Sequence, residues 1–109
     1  MGMIGNFEKL LAAGKDSALL RFSLGNEYMK AADAAKASEH LRAAIAQDPS
    51  YSAAWKLLGK SLAQLNDVTG ATEAYTRGIA AAETKGDKQA AKEMTVFLRR
   101  LSAAAVAPK

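Results

Sequence analysis

The chain has 109 residues, enough for one domain that buries roughly two thirds of its unfolded surface. It holds no cysteine, which excludes disulfides and thiolate metal sites, and roughly a quarter of it is alanine, the best helix former. The formal charge of +4 is unevenly placed: residues 1–50 carry six Lys/Arg against six Asp/Glu, and residues 51–109 carry nine against five.

Abundant alanine with sparse valine and threonine favours an all-α domain over a sheet. No stretch approaches the ~20 apolar residues needed to span a bilayer, so no membrane is expected among the partners. The N-terminal run Met1-Gly2-Met3-Ile4-Gly5-Asn6 lacks the basic region and long apolar core of a signal peptide. Asn6 also stands where a myristoylation signal needs serine or threonine. The expected setting is the cytoplasm.

The spacing predicts a short first helix over residues 6–13, capped by Asn6, with Phe7, Leu10 and Leu11 as its apolar stripe and Gly14 as its stop. Asp16 is expected to cap a second helix over residues 17–31. That helix is apolar on two sides: Leu20, Leu24 and Tyr28 form one stripe, while Leu19, Phe22 and Met29 lie on another. Asp33 caps a helix over residues 34–47 that turns Ala37, Leu41, Ala44 and Ile45 inward. Pro49 breaks the chain, and Ser50 is expected to cap a helix carrying Tyr51, Ala54, Trp55, Leu58, Leu62 and Leu65. Asp67 opens the next helix, with Ala71, Tyr75, Gly78, Ile79 and Ala82, and Gly86 closes it. Asp87 caps the last helix. There Ala90, Ala91, Met94, Phe97, Leu98 and Leu101 form one stripe opposite Lys88, Lys92, Glu93, Arg99 and Arg100. The chain thus divides into an N-terminal segment (1–15), a helical domain (16–102) and a flexible tail (103–109).

A shift of 34 residues aligns Leu24 with Leu58, Gly25 with Gly59, Asp33 with Asp67, Ala37 with Ala71, Leu41 with Tyr75 and Ile45 with Ile79. Two helical hairpins are therefore expected, at about residues 18–51 and 52–85, followed by a capping helix at about 87–102. Gly25 and Gly59 would let the first helix of each hairpin close on a small alanine of the second, Ala37 or Ala71, at an axis separation of ~8 Å. Leu41 and Tyr75 would then fill the space between hairpins.

The second copy reads Trp55-x2-Leu58-Gly59-x2-Leu62, then Ala71-x3-Tyr75; the first reads Arg21-x2-Leu24-Gly25-x2-Tyr28, then Ala37-x3-Leu41, then Pro49. Together they resemble the tetratricopeptide repeat, whose pattern is W-x2-L-G-x2-Y, then A-x3-F, then P. The resemblance covers about residues 18–85 and implies a superhelix of antiparallel helical hairpins. It also implies a non-catalytic protein-interaction module that takes an extended or helical peptide on a concave face.

Carried over by position, that face comprises Leu19, Phe22, Asn26, Met29 and Lys30 in the first repeat, and Ala53, Lys56, Lys60, Ala63 and Gln64 in the second. An apolar wall beside two lysines one turn apart suits an apolar segment bearing a carboxylate. Two readings stand: an open groove, or a face covered by the N-terminal helix or spent on first-hairpin packing. Chaperone-docking members of the family hold a terminal carboxylate with a clamp of basic and asparagine residues. Asn26 matches one clamp position, but Phe22 and Leu57 stand where lysine and asparagine are needed, so the clamp is broken.

Self-association through the apolar face is a rival reading. Polyanion binding through the basic last helix is another, disfavoured because its cations lack aromatic companions and a base-reading motif. The partner is thus expected to be a protein or peptide. His40, the only histidine, reads as a surface residue; no nucleophile, metal cluster or phosphate loop accompanies it, so no cofactor is expected.

Overall fold

The computed structural model describes residues 3–105 as six helices: α1 (Met3–Ala12), α2 (Ala18–Lys30), α3 (Ala34–Gln47), α4 (Ser52–Gln64), α5 (Val68–Lys85) and α6 (Lys88–Ala105). Among the described residues there is no strand. Local chemistry sets most boundaries. The carboxylates of Asp33, Asp67 and Asp87 accept from the amides of Lys36, Gly70 and Ala90, satisfying donors that a helix start leaves without partners. Gly86 ends α5 at φ 80°, a left-handed conformation that costs glycine little.

Three expected caps differ, two because another partner competes and one because the helix starts earlier. Ser17, not Asp16, caps α2 by accepting from Leu20 N at 3.1 Å, while Asp16 is drawn to the Arg21 guanidinium. Asn6 lies inside α1, which begins three residues earlier. The Ser50 hydroxyl donates to Asp48 at 2.6 Å, so Tyr51 opens α4 without a side-chain cap. That turn is tied instead by the Trp55 indole N–H, which donates to the Pro49 carbonyl at 2.8 Å. At the other end, α6 runs to Ala105, three residues into the segment expected to be flexible, where the high helix propensity of alanine extends it. Residues 1–2 and 106–109, including the rest of that expected tail, lie outside the described residues.

The helices pack in sequence order. α2 pairs with α3 and α4 with α5, while α3–α4 and α5–α6 contacts stack the hairpins. α4 also approaches both α2 and α6, whereas α3 and α5 make no such approach to each other among the described residues. The stack therefore curves with α2, α4 and α6 on its inner side. Its shortest dimension, 18 Å, is about two helix diameters of ~10 Å, a double layer of helices.

One continuous core runs through the stack, from Leu24 and Leu41 through Leu58 and Tyr75 to Met94. Its close approaches differ from the predicted glycine-on-alanine pairs. A Cβ placed on Gly25 would stand 2.5 Å from Leu41 Cγ, and one on Gly59 would overlap the Tyr75 ring. Each glycine is thus a slot for the large residue of the second helix, one turn beyond Ala37 or Ala71, and Leu41 and Tyr75 pack within their hairpins. Ala37 and Ala71 are themselves fully buried. A third slot, Gly78, receives the Met94 sulfur and the Trp55 Cβ, joining α5 to both neighbours.

Candidate interaction surface

The residues singled out in the sequence lie along one stripe of α2 and one of α4, and their contacts orient both stripes. The Phe22 ring lies 5.0 Å from that of Tyr51, just ahead of α4. Lys56 forms an ion pair with Glu93 of α6, and Lys60 Nζ stands 6.0 Å from the Phe97 ring of the same helix. Phe22, Lys56 and Lys60 therefore lie along the side where α2, α4 and α6 converge. Leu19 is 67% exposed there; Asn26 and Met29 are half-buried, and Lys30 and Gln64 are exposed.

The two lysines are not equivalent. Lys56 holds the Glu93 carboxyl below the usual carboxylate range, with Gln89 assisting, so its charge is already matched. Lys60 forms no ion pair among the described residues, and Lys30 bonds Glu27 at 3.3 Å. Phe22 is partly committed to the joint between hairpins through Tyr51, whereas Leu19 makes no comparable investment. Farther along, Ala63, Tyr75, Phe97, Arg100 and Leu101 line a shallow hollow of ≈ 210 Å³, with the Arg100 guanidinium 5.9 Å from the Phe97 ring.

The N-terminal helix does not close over Leu19. Its backbone lies against α2, with Ile4, Phe7 and Leu11 against the core and Leu10 turned outward at 45% exposure. Its Glu8 reaches the opposite stripe, accepting from the Tyr28 hydroxyl at 2.6 Å and approaching His40 Nε2 at 3.6 Å.

His40 is accordingly not the surface residue expected. Its side chain is 12% exposed and stacks on Tyr28, with ring centroids 5.5 Å apart and planes 4° from parallel. Arg21 Nη1 lies 3.2 Å from His40 Nδ1. Because a guanidinium can only donate, the neutral ring accepts at Nδ1 and carries its proton on Nε2, toward Glu8. Burial pushes the His40 pKa below its usual value, against the opposing pull of Glu8. Arg21 also grips Asp16 through two bonds of 2.9 and 3.0 Å, and Gln47 of α3 donates to the same carboxylate. Together they pull the Asp16 pKa down to about 2. Donation to Glu8 raises the Tyr28 pKa to about 12.

This cluster welds α1, α2 and α3, each polar group being spent on another. The signal for it was present in the spacing. His40 is three residues after Ala37 and four before Ala44, on their inward stripe, and Arg21 occupies the repeat's tryptophan position. Among the described residues no three His, Asp or Glu side chains converge as a metal ion requires, and no helix is long and apolar enough to cross a membrane.

The family model for the tetratricopeptide repeat matches residues 22–88. A TPR repeat-containing protein of Pseudomonas aeruginosa is 57% identical over 102 residues, covering 94% of this chain and 97% of that one. The solution structure of a Bordetella parapertussis protein is 46% identical with a TM-score of 0.83, covering 95% of this chain and 90% of its own. The crystal structure of the Sgt2 TPR domain from Aspergillus fumigatus is 25% identical with a TM-score of 0.72, covering 97% of this chain and 72% of that domain.

Proposed function

The chain belongs to the tetratricopeptide-repeat family, whose fold serves generally as a non-catalytic scaffold for protein interaction, and we propose that its inner face holds a peptide segment of a partner protein. In this reading apolar side chains of the segment, spaced along α2, cover Leu19 with the free edge of Phe22 and, about 15 Å farther on, Met29. A carboxylate of the segment meets Lys60, and the Asn26 amide bonds its backbone. Lys56 keeps Glu93 and contributes shape rather than free charge.

The observation that supports this reading is Leu19, 67% exposed one turn from half-buried Phe22 on the inner side of the stack. Covering a leucine stabilises a contact by about 1.5–3 kcal/mol, and nothing in the fold uses that gain. The segment differs from a chaperone-tail ligand because the clamp positions Phe22 and Leu57 are apolar.

Capture of partners from a lysate of the source organism tests the proposal. Leu19→Asp and Lys60→Glu both alter exposed groups, so each variant keeps the circular dichroism spectrum of the parent, and each is expected to lose the partner. Retention of every partner by both folded variants rejects the inner face as the site. A mass that rises with protein concentration, and falls back in Leu19→Asp, would assign the face to self-association instead.

A further inference from the structure

The helix starts place α6 within the repeat. α2, α4 and α6 begin at Ala18, Ser52 and Lys88, so equivalent residues are separated by 34 and then 36 positions. Leu24, Leu58 and Met94 share one such position, and each is at most 1% exposed. The next position holds the slot glycines, Gly25 and Gly59, which receive Leu41 and Tyr75 from the second helix of their hairpins; in α6 it holds Thr95. α6 therefore stands in register with the first helices of the two hairpins, and among the described residues no second helix follows it.

The stripe that such a helix would cover is Lys88, Ala91, Lys92, Thr95, Val96 and Arg99, and it lines a groove of ≈ 520 Å³ against the end of α5. The spacing keeps all six on one side of α6. Ala91 and Thr95 form a narrow floor, and the Thr95 hydroxyl donates to the Ala91 carbonyl at 2.8 Å, which spends its polar group. Val96 is 39% exposed. Lys88, Lys92 and Arg99 take part in no ion pair among the described residues, and the one acid lining the groove is Glu83.

We propose that this groove docks an amphipathic helix of a partner protein, acidic along its flanks and small where it crosses Thr95, lying where the second helix of a third hairpin would lie. The charge selects the occupant. A second copy presenting the same stripe would set lysine and arginine against lysine and arginine. The outward apolar residues of α1, Met3 and Leu10, have no free acid beside them, since the acid of that helix, Glu8, is bound to Tyr28. A foreign helix with glutamate or aspartate flanks satisfies the cations, and its apolar stripe covers Val96 and the floor. Shape selects it further. Where Gly25 and Gly59 admit a leucine or tyrosine, Thr95 has filled the slot, so the crossing residue must be small.

The test uses fluorescently labelled synthetic helices as long as α6, 18 residues, with a leucine stripe. One has glutamate flanks and alanine at the crossing position, one glutamate flanks and tyrosine there, and one lysine flanks and alanine. Fluorescence anisotropy on the full chain should show saturable binding of the first, weakened by salt, and little of the other two. Lys92→Glu/Arg99→Glu should weaken the first by about tenfold or more, while Leu19→Asp on the inner face leaves it unchanged. Thr95→Gly, which reopens the slot, should shift preference toward the tyrosine helix. Equal binding of the lysine-flanked helix overturns the proposal. So does loss of binding in Leu19→Asp with none in the double variant, or sedimentation of the free protein as a dimer that Val96→Asp dissociates. Because Leu19→Asp reports the inner face and Lys92→Glu/Arg99→Glu the outer groove, failure of one site leaves the other standing.

Discussion

His40 is where a single residue says most about its surroundings. Burial disfavours the imidazolium, Arg21 at Nδ1 adds to that, and Glu8 and Glu39 oppose it, with the Tyr28 ring stacked across one face. The folded pKa therefore lies below the unfolded value of ~6.5. As pH falls past that value the unfolded chain takes the proton first, so this group's contribution declines down to the folded midpoint and then levels off. Being the only histidine, it is read directly by the proton NMR titration of its ring: the midpoint should fall below 6.5, and Glu8→Gln should lower it further. A midpoint at 6.5 would mean a solvated ring, and one above it would mean that Glu8 outweighs burial. Two glycines make a second test at this scale. Gly59→Ala drives a methyl into the Tyr75 ring and should cost about 1–3 kcal/mol by urea denaturation. Gly5→Ala in α1 meets nothing within 4 Å and should be neutral or stabilise by up to about 1 kcal/mol.

Among the elements, the two end helices have unequal roles. α6 inserts fully buried Met94 into the Gly78 slot, sets Phe97 5.7 Å from Tyr75, and starts at Asp87, whose carboxylate also accepts from Ser52 at 2.9 Å. Removing residues 87–109 strips cover from Tyr75 and takes Met94 out of that slot, so the truncated chain should melt far lower or aggregate; an unchanged melting temperature would contradict a structural role for α6. α1 has no fully buried residue, lies against α2, and reaches α3 only through the Glu8 side chain. Its backbone amides should exchange with solvent faster than those of α4 and α5. Deleting residues 1–15 should raise hydrophobic-dye binding, as the side of α2 bearing Leu20 and Tyr28 opens, without unfolding the hairpins.

For the molecule as a whole, each repeat unit touches only its neighbours, so stability is a chain of adjacent interfaces. Several of those joints carry carboxylates with lowered pKa values. Asp16 is held by Arg21 and then Gln47, Asp87 by the Ala90 amide and then Ser52, and Glu93 by Lys56 and then Gln89. A lowered pKa adds stability above the unfolded value of ~4, and that stability is lost as pH falls through the folded value. For Asp16 the loss extends to about pH 2. Melting temperature should thus drop steeply below pH ~4, where the growing positive charge also repels itself, and Asp16→Asn should flatten the lowest part of the profile. A melting temperature constant down to pH 2 would show that these carboxylates do not couple to folding.

What the sequence determined by itself is the set of helices, their breaks at Gly14, Pro49 and Gly86, the caps at Asp33, Asp67 and Asp87, and the 34-residue register of two hairpins. Those features depend on residues within a turn of one another, and propensity, capping and periodicity read such distances directly. The tertiary structure decided which knob enters each glycine slot, because Ala37 and Leu41, or Ala71 and Tyr75, share one stripe and only the rotation and shift of the facing helix chooses between them. It also decided that Arg21 takes Asp16 from its expected cap, that Glu93 neutralises Lys56 from 37 positions away, and that α1 lies on the Tyr28 side and leaves Leu19 open. Side chains distant along the chain become partners only when packed helices bring them together, and spacing along a single helix carries no record of how its neighbour is turned.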